Sequence, residues 1–171
     1  ERLSAEPDRI TLGGEKREIT IIFTDIAGFT DMSEKLPAEE LGNVLNEYLD
    51  TMTTIAMARE GTIDKFIGDA VVVLFGAPEA QADHAERAVA CALELDAAAR
   101  AISARHAARG LDFGMTRIGV HSGDAVVGNF GGANRFDYTA MGDTMNTASR
   151  LEGANKHLGT HVCVRAETAA R

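Results

Sequence analysis

From Ile19 to Phe23 the chain is β-branched or aromatic at every position, and such a run reads as a buried strand. The run stops at Asp25, and Gly28 allows a tight turn just beyond it. A carboxylate on the C-terminal lip of a buried strand, followed by turn amides, suits a metal–phosphate site. The carboxylate would hold a hard cation and the amides would hold phosphate oxygens. One such Asp is equally well a solvated strand end, so the rest of the chain has to decide.

A second strand pair supplies the partner. Thr62–Ile67 and Ala70–Phe75 flank Gly68-Asp69, which predicts a hairpin with Asp69 at its tip. The second run is wholly apolar and therefore central. If it lies beside the first strand, Asp25 and Asp69 meet at one sheet edge. Two carboxylates without a basic partner repel unless a cation lies between them, which argues for one or two Mg²⁺ ions. Lys65, just before the tip, could equally snorkel to water.

The other elements follow by periodicity. Pro37 opens a helix carrying Leu41, Leu45, Tyr48, Met52 and Ile55, with Gly61 as its stop. Asp83–Arg109 is an Ala-rich helix ended by Gly110, with His84 and His106 read as surface residues. Phe113–Ser122 and Ala125–Phe130 read as strands joined in a hairpin at Gly123-Asp124. After a loop at Gly131–Asn134, Phe136–Met141 returns as a strand. Asp143 caps a helix over Thr144–Glu152, with Gly153 beyond its end, and a short strand runs from His161 to Val164. Asn146 and Arg150, four apart, share one helix face, either as a plain polar face or as a pair suited to a phosphoryl group gaining charge.

The sequence also excludes several classes. Its 171 residues suit one domain, and residues 1–17 read as a linker. A net charge of −9 argues against non-specific binding to nucleic acid or to an anionic membrane. No apolar run approaches a membrane span. Cys91 and Cys163 are far apart and read as reduced structural thiols. His157 and His161 have a zinc-like spacing, but Gly159 breaks the helix it would need and no Cys completes the set. Neither a phosphate-loop motif nor a dinucleotide fingerprint occurs.

Four segments then combine. Phe23–Thr30, Asp64–Ala70, Gly119–Asn129 and Tyr138–Glu152, in that order, closely resemble the catalytic domain of class III adenylate and guanylate cyclases. The resemblance implies an α+β fold with a ferredoxin-like βαββαβ core plus an extra helix and hairpin, spanning residues 18–171. It implies that Asp25 and Asp69, with the Ile26 carbonyl, hold two Mg²⁺ or Mn²⁺ ions, and that Gly28-Phe29-Thr30 bind the triphosphate. Lys65 and Thr139 match the two purine-reading positions. Adenylate cyclases of the family carry Lys with Asp or Thr there, whereas guanylate cyclases commonly carry Glu and Cys. Asn146 and Arg150 match the residues that orient the ribose and stabilise the α-phosphate.

The implied reaction is ATP to cyclic AMP and pyrophosphate in a signalling role. A guanylate cyclase and a nucleotide-binding regulatory domain without turnover are the alternatives; the signature of diguanylate cyclases is absent. The resemblance further implies a head-to-tail homodimer with a shared site. Metal ligands and Lys65 are expected from one chain, and Thr139, Asn146 and Arg150 from the other. The family's C-terminal hairpin, with a triphosphate-binding Lys, is expected to be missing here, leaving the isolated domain monomeric without ligand. The domain is expected to be cytoplasmic, in a larger protein that is either free or membrane-anchored, with no membrane contact by this segment.

Overall fold

The computed structural model describes residues 13–132 and 134–171. Most of the preceding linker therefore lies outside the described residues, but Gly13–Arg17 are its exception. They are already strand, because β1 (Gly13–Ile26) pairs with β4 (Thr116–Gly132) along its whole length. Between them come α1 (Phe29–Lys35), α2 (Ala38–Ala58), the hairpin β2 (Thr62–Ile67) and β3 (Ala70–Phe75), and α3 (His84–Ala107). After β4 follow β5 (Arg135–Met141), α4 (Asp143–Leu158), β6 (Val162–Val164) and α5 (Ala166–Ala169). The sheet order β2-β3-β1-β4-β5 contains the antiparallel β4-β1-β3-β2 core of a ferredoxin-like fold. The outer edge of β4 is shared. β6 pairs parallel to its first half and β5 antiparallel to its second.

Alternation along β1 sends its two faces into two cores. Ile22 and Ile26 pack with Val71, Val73, Ile118 and Val120 under α2 and α3. Ile19 and Ile21 pack on the other face with Val72 and Leu74, covered by the β4–β5 arm and by Ala148 of α4. Each fully buried Ile or Leu among these contributes about 1.5–3 kcal/mol of transfer free energy. The unbroken apolar run of β3 is explained by this double coverage: all six of its residues are buried.

Three local expectations are corrected. Gly123-Asp124 is not a turn, because β4 runs straight through it while paired residue by residue with β1, Gly123 against Ile19 and Asp124 against Glu18. A continuous partner strand overrides the local turn preference of Gly and Asp. α4 does not stop at Gly153. It continues to Leu158 and ends at Gly159, whose φ of 66° supplies the left-handed cap, while Gly142 rather than Asp143 is its N-cap. Neither His84 nor His106 is a surface residue. His84 Nδ1 lies 2.7 Å from Thr20 Oγ1, and His106 is buried, stacked on Phe113 at 5.5 Å.

Candidate functional site

The β1–β3 register fixes the first group of side chains. Thr24 pairs with Val71, so extending both strands by two residues brings Ile26 beside Asp69 at the hairpin tip. The Ile26 main-chain N–H donates to Asp69 Oδ2 at 2.7 Å. Asp25 shares a side-chain hydrogen bond with Asp69. Burial first, then the hydrogen bond and charge of Asp69, and also the charge of Glu152, push the Asp25 carboxyl up to about 7. The two carboxylates thus meet as the sequence predicts, and among the described residues no Lys or Arg forms an ion pair with either.

Asp25, Ile26 and Asp69 open into a polar pocket with the Gly28–Thr30 turn. Gly28 is left-handed, with a φ of 70°, and is the N-cap of α1. The turn is therefore also the first turn of a helix, which the sequence reading did not anticipate. First-turn amides have no intrahelical acceptor and remain available to an anion.

Arg117 is a wall of the same pocket that sequence reasoning missed. It lies opposite Asp25 in the β1–β4 register. Its Nε is buried without a hydrogen-bond partner and stands 3.8 Å from Glu152 Oε1. The available signal was a lone Arg in the otherwise neutral strand Thr116–Val120, one residue from the end of the pair in which it faces Asp25.

The second group is separate from the first. Thr139 on β5 donates from Oγ1 to Asp64 Oδ2 at 2.8 Å, and Lys65 Nζ is 4.0 Å from the same oxygen. Lys65 and Thr139 are therefore neighbours within one chain. The family resemblance implied a different grouping, with Lys65 beside the metal ligands of one chain and Thr139 contributed by the other. The physical reason is the curl of the β4–β5 arm over the sheet face, which returns β5 to β2. Asn146 and Arg150 follow on α4, both exposed and, among the described residues, free of internal hydrogen bonds and ion pairs. Neither lines the carboxylate pocket.

The described residues thus present two sets of polar groups, one around Asp25 and Asp69 and one on β2, β5 and α4. One offers two carboxylates, a main-chain carbonyl, helix amides and a guanidinium. The other offers an ammonium, a hydroxyl, an amide and a guanidinium. The first donor set fits Mg²⁺ or Mn²⁺. Its donors are hard oxygens, and the Asp25 carboxyl, raised first by burial and then by Asp69, is one whose ionised form a divalent cation would favour. His161, by contrast, binds Asp96 at 3.0 Å and His157 is exposed, so the two do not converge.

Comparison with known proteins identifies the family. Residues 13–170 match the model of the adenylate and guanylate cyclase catalytic domain. The chain is 44% identical over 156 residues to adenylate cyclase 1 of Rhizobium meliloti (strain 1021), covering 91% of this chain and 24% of that protein. It thus spans about a quarter of the length of that curated relative. Among solved structures it resembles the adenylyl cyclase CyaB from P. aeruginosa, with a TM-score of 0.85 and 38% identity over 93% of this chain and 82% of that one. The guanylyl cyclase Cya2 is as similar, with a TM-score of 0.84 and 38% identity over 93% and 80%.

Proposed function

The chain belongs to the adenylate and guanylate cyclase catalytic domain family, and from that premise we propose that it converts ATP to 3′,5′-cyclic AMP and pyrophosphate. Similarity alone does not choose the nucleotide, since an adenylyl and a guanylyl cyclase match equally well. The observation that carries the choice is the pairing of Lys65 with Thr139 around Asp64. An ammonium donates and never accepts, so Lys65 suits adenine N1 and opposes the N1–H of guanine. The Thr139 hydroxyl, with its own proton engaged by Asp64, accepts from the 6-amino group.

In this reading Asp25, Asp69 and the Ile26 carbonyl hold two divalent ions. These would supply Lewis-acid charge that lowers the pKa of the ribose 3′-hydroxyl and offsets the charge of the leaving pyrophosphate. The 3′-oxygen forms a bond to the α-phosphorus, the bond from that phosphorus to the β-phosphate bridging oxygen breaks, and one proton is released. The Gly28–Thr30 turn and Arg117 bind the triphosphate. Asn146 orients the ribose, and Arg150 stabilises the charge growing on the α-phosphate. Neither half-site suffices, so catalysis uses a head-to-tail homodimer in which the carboxylates of one chain face Lys65, Thr139, Asn146 and Arg150 of the other. The isolated domain is monomeric without ligand. No helix of the described residues is long and apolar enough to cross a membrane, and ATP as substrate is in keeping with a cytoplasmic domain.

The test is product formation from ATP and GTP side by side, with Mg²⁺ and with Mn²⁺. Cyclic AMP with little cyclic GMP is expected. Equal or preferential cyclic GMP formation would overturn the nucleotide assignment. No product from folded, ATP-binding protein would instead identify a regulatory domain.

A further inference from the structure

Asp64 sits at a fault in the β-ladder. Ile63 pairs with Val73 and Lys65 with Val72, so Asp64 is an extra residue with no partner on β3. Successive residues of a regular strand point to opposite faces, but a bulge re-aims one of them. Here it lets Asp64 and Lys65 approach each other, Oδ2 to Nζ at 4.0 Å. The Asp64 side chain is only 1% exposed. It accepts from Thr139 Oγ1 at 2.8 Å and from the main-chain N–H of Ala140, the next residue on β5. Burial pushes its carboxyl up, while these two donors and the Lys65 ammonium pull it back. A buried carboxylate with three donors around it is costly to place.

Its chemical effect falls on Thr139. A free threonine hydroxyl both donates and accepts, so it could serve adenine's 6-amino group or guanine's 6-oxo group equally. A carboxylate only accepts. Once Asp64 holds the hydroxyl proton, Thr139 has only lone pairs to offer.

We propose that Asp64 is a positioning residue that sets purine specificity: by holding the Thr139 hydroxyl proton it makes Thr139 an acceptor, and so selects a 6-amino over a 6-oxo purine. The inference rests on the ATP cyclase reading, in which Lys65 and Thr139 meet the base.

The variant is Asp64→Asn. It keeps the volume but has one acceptor oxygen for the Thr139 and Ala140 donors, and its NH₂ can donate to Thr139 and turn the hydroxyl proton outward. The readout is the ratio of kcat/KM for ATP to that for GTP, measured on the dimer with excess metal. Asp64→Asn lowers this ratio at least about tenfold, as expected when a site loses its match to one hydrogen-bonding group. Thr139→Val lowers it similarly, and the double variant goes no lower than the single ones. A merely structural Asp64 would depress both substrates together and leave the ratio unchanged, which overturns the proposal. Wild-type protein gives an independent check with purine riboside triphosphate, which lacks the 6-amino group. Its kcat/KM should fall about tenfold or more below that of ATP, and equal use overturns the proposal even if Asp64→Asn does not fold. If wild-type protein shows no preference for ATP over GTP, the failure lies in the nucleotide reading itself.

Discussion

The Asp25 carboxyl is lifted from its ordinary 3.8 to about 7, by burial before all else and then by Asp69 and Glu152. The folded, metal-free domain therefore holds this proton more tightly than the unfolded chain does. Folding takes up a proton between pH 3.8 and about 7, so this group's share of stability is present at the acid end and is lost as pH rises through that window. Asp25→Asn removes the ionisation. Relative to wild type the variant gains melting temperature at pH 8, gains less than half as much at pH 5, and gains least near pH 4. An offset of equal size at both pH values would refute this account. Mg²⁺ or Mn²⁺ prefers the ionised pair, so adding either should raise the wild-type melting temperature at pH 8 by mass action and leave Asp69→Ala unmoved. At this scale the sequence was informative about charge and poor about partnership. Asp25 and Asp69 could be paired because each ends a legible strand. Arg117 and Asp64 could not, since one is recruited by register across β1 and the other by a bulge that no local pattern announces.

At the scale of elements, α4 is the piece whose seating decides whether Asn146 and Arg150 are placed. It lies almost directly on β4. A Cβ added at Gly119 would come 2.2 Å from the Ala148 carbonyl oxygen and 2.4 Å from the Glu152 nitrogen, both backbone atoms that cannot swing aside. Asn155, fully buried, locks the other end of the contact. Its Nδ2 donates to the Ile118 carbonyl at 2.9 Å and its Oδ1 accepts from Thr160 Oγ1 at 2.7 Å. Gly119→Ala should therefore push the helix off the sheet, costing about 1–3 kcal/mol or more, as overpacking does. It should also lower turnover further than lost folded protein explains. Denaturant titration with parallel activity assays checks both, and an unchanged midpoint would show that α4 is not seated this way. The β2–β3 hairpin and the two long helices were legible because periodicity and punctuation agree there. β4 was not, because Gly123 and Asp124 look like a turn until the full-length partner strand is known. The end of α4 was misread for a related reason: Gly153 lies on an exposed side where a glycine is tolerated, and the left-handed cap waits for Gly159.

For the whole molecule, Lys65, Thr139, Asn146 and Arg150 do not line the pocket of Asp25 and Asp69, so the proposed division of labour between chains can be read by mixing variants. The exposed apolar residues Phe66, Ile67, Phe136 and Met141 sit on β2 and β5, the strands that carry Lys65 and Thr139, which suits a surface covered by a second copy. Asp69→Ala breaks the carboxylate half. Asn146→Ala breaks the purine–ribose half. A mixed dimer of the two retains one whole site, so a random mixture should recover roughly a quarter of wild-type activity, half of the dimers being mixed with one working site of two. Lys65→Ala then decides where the base-reading Lys belongs. Its contact with Asp64, which also holds Thr139, groups it with Asn146. Lys65→Ala should accordingly rescue Asp69→Ala and fail to rescue Asn146→Ala. The reverse outcome would return Lys65 to the metal-bearing half, as family resemblance alone first suggested, and would mean that the β5–β2 contact is remade when two chains associate. Activity in neither mixture, with mixed dimers demonstrated, would refute the shared site altogether.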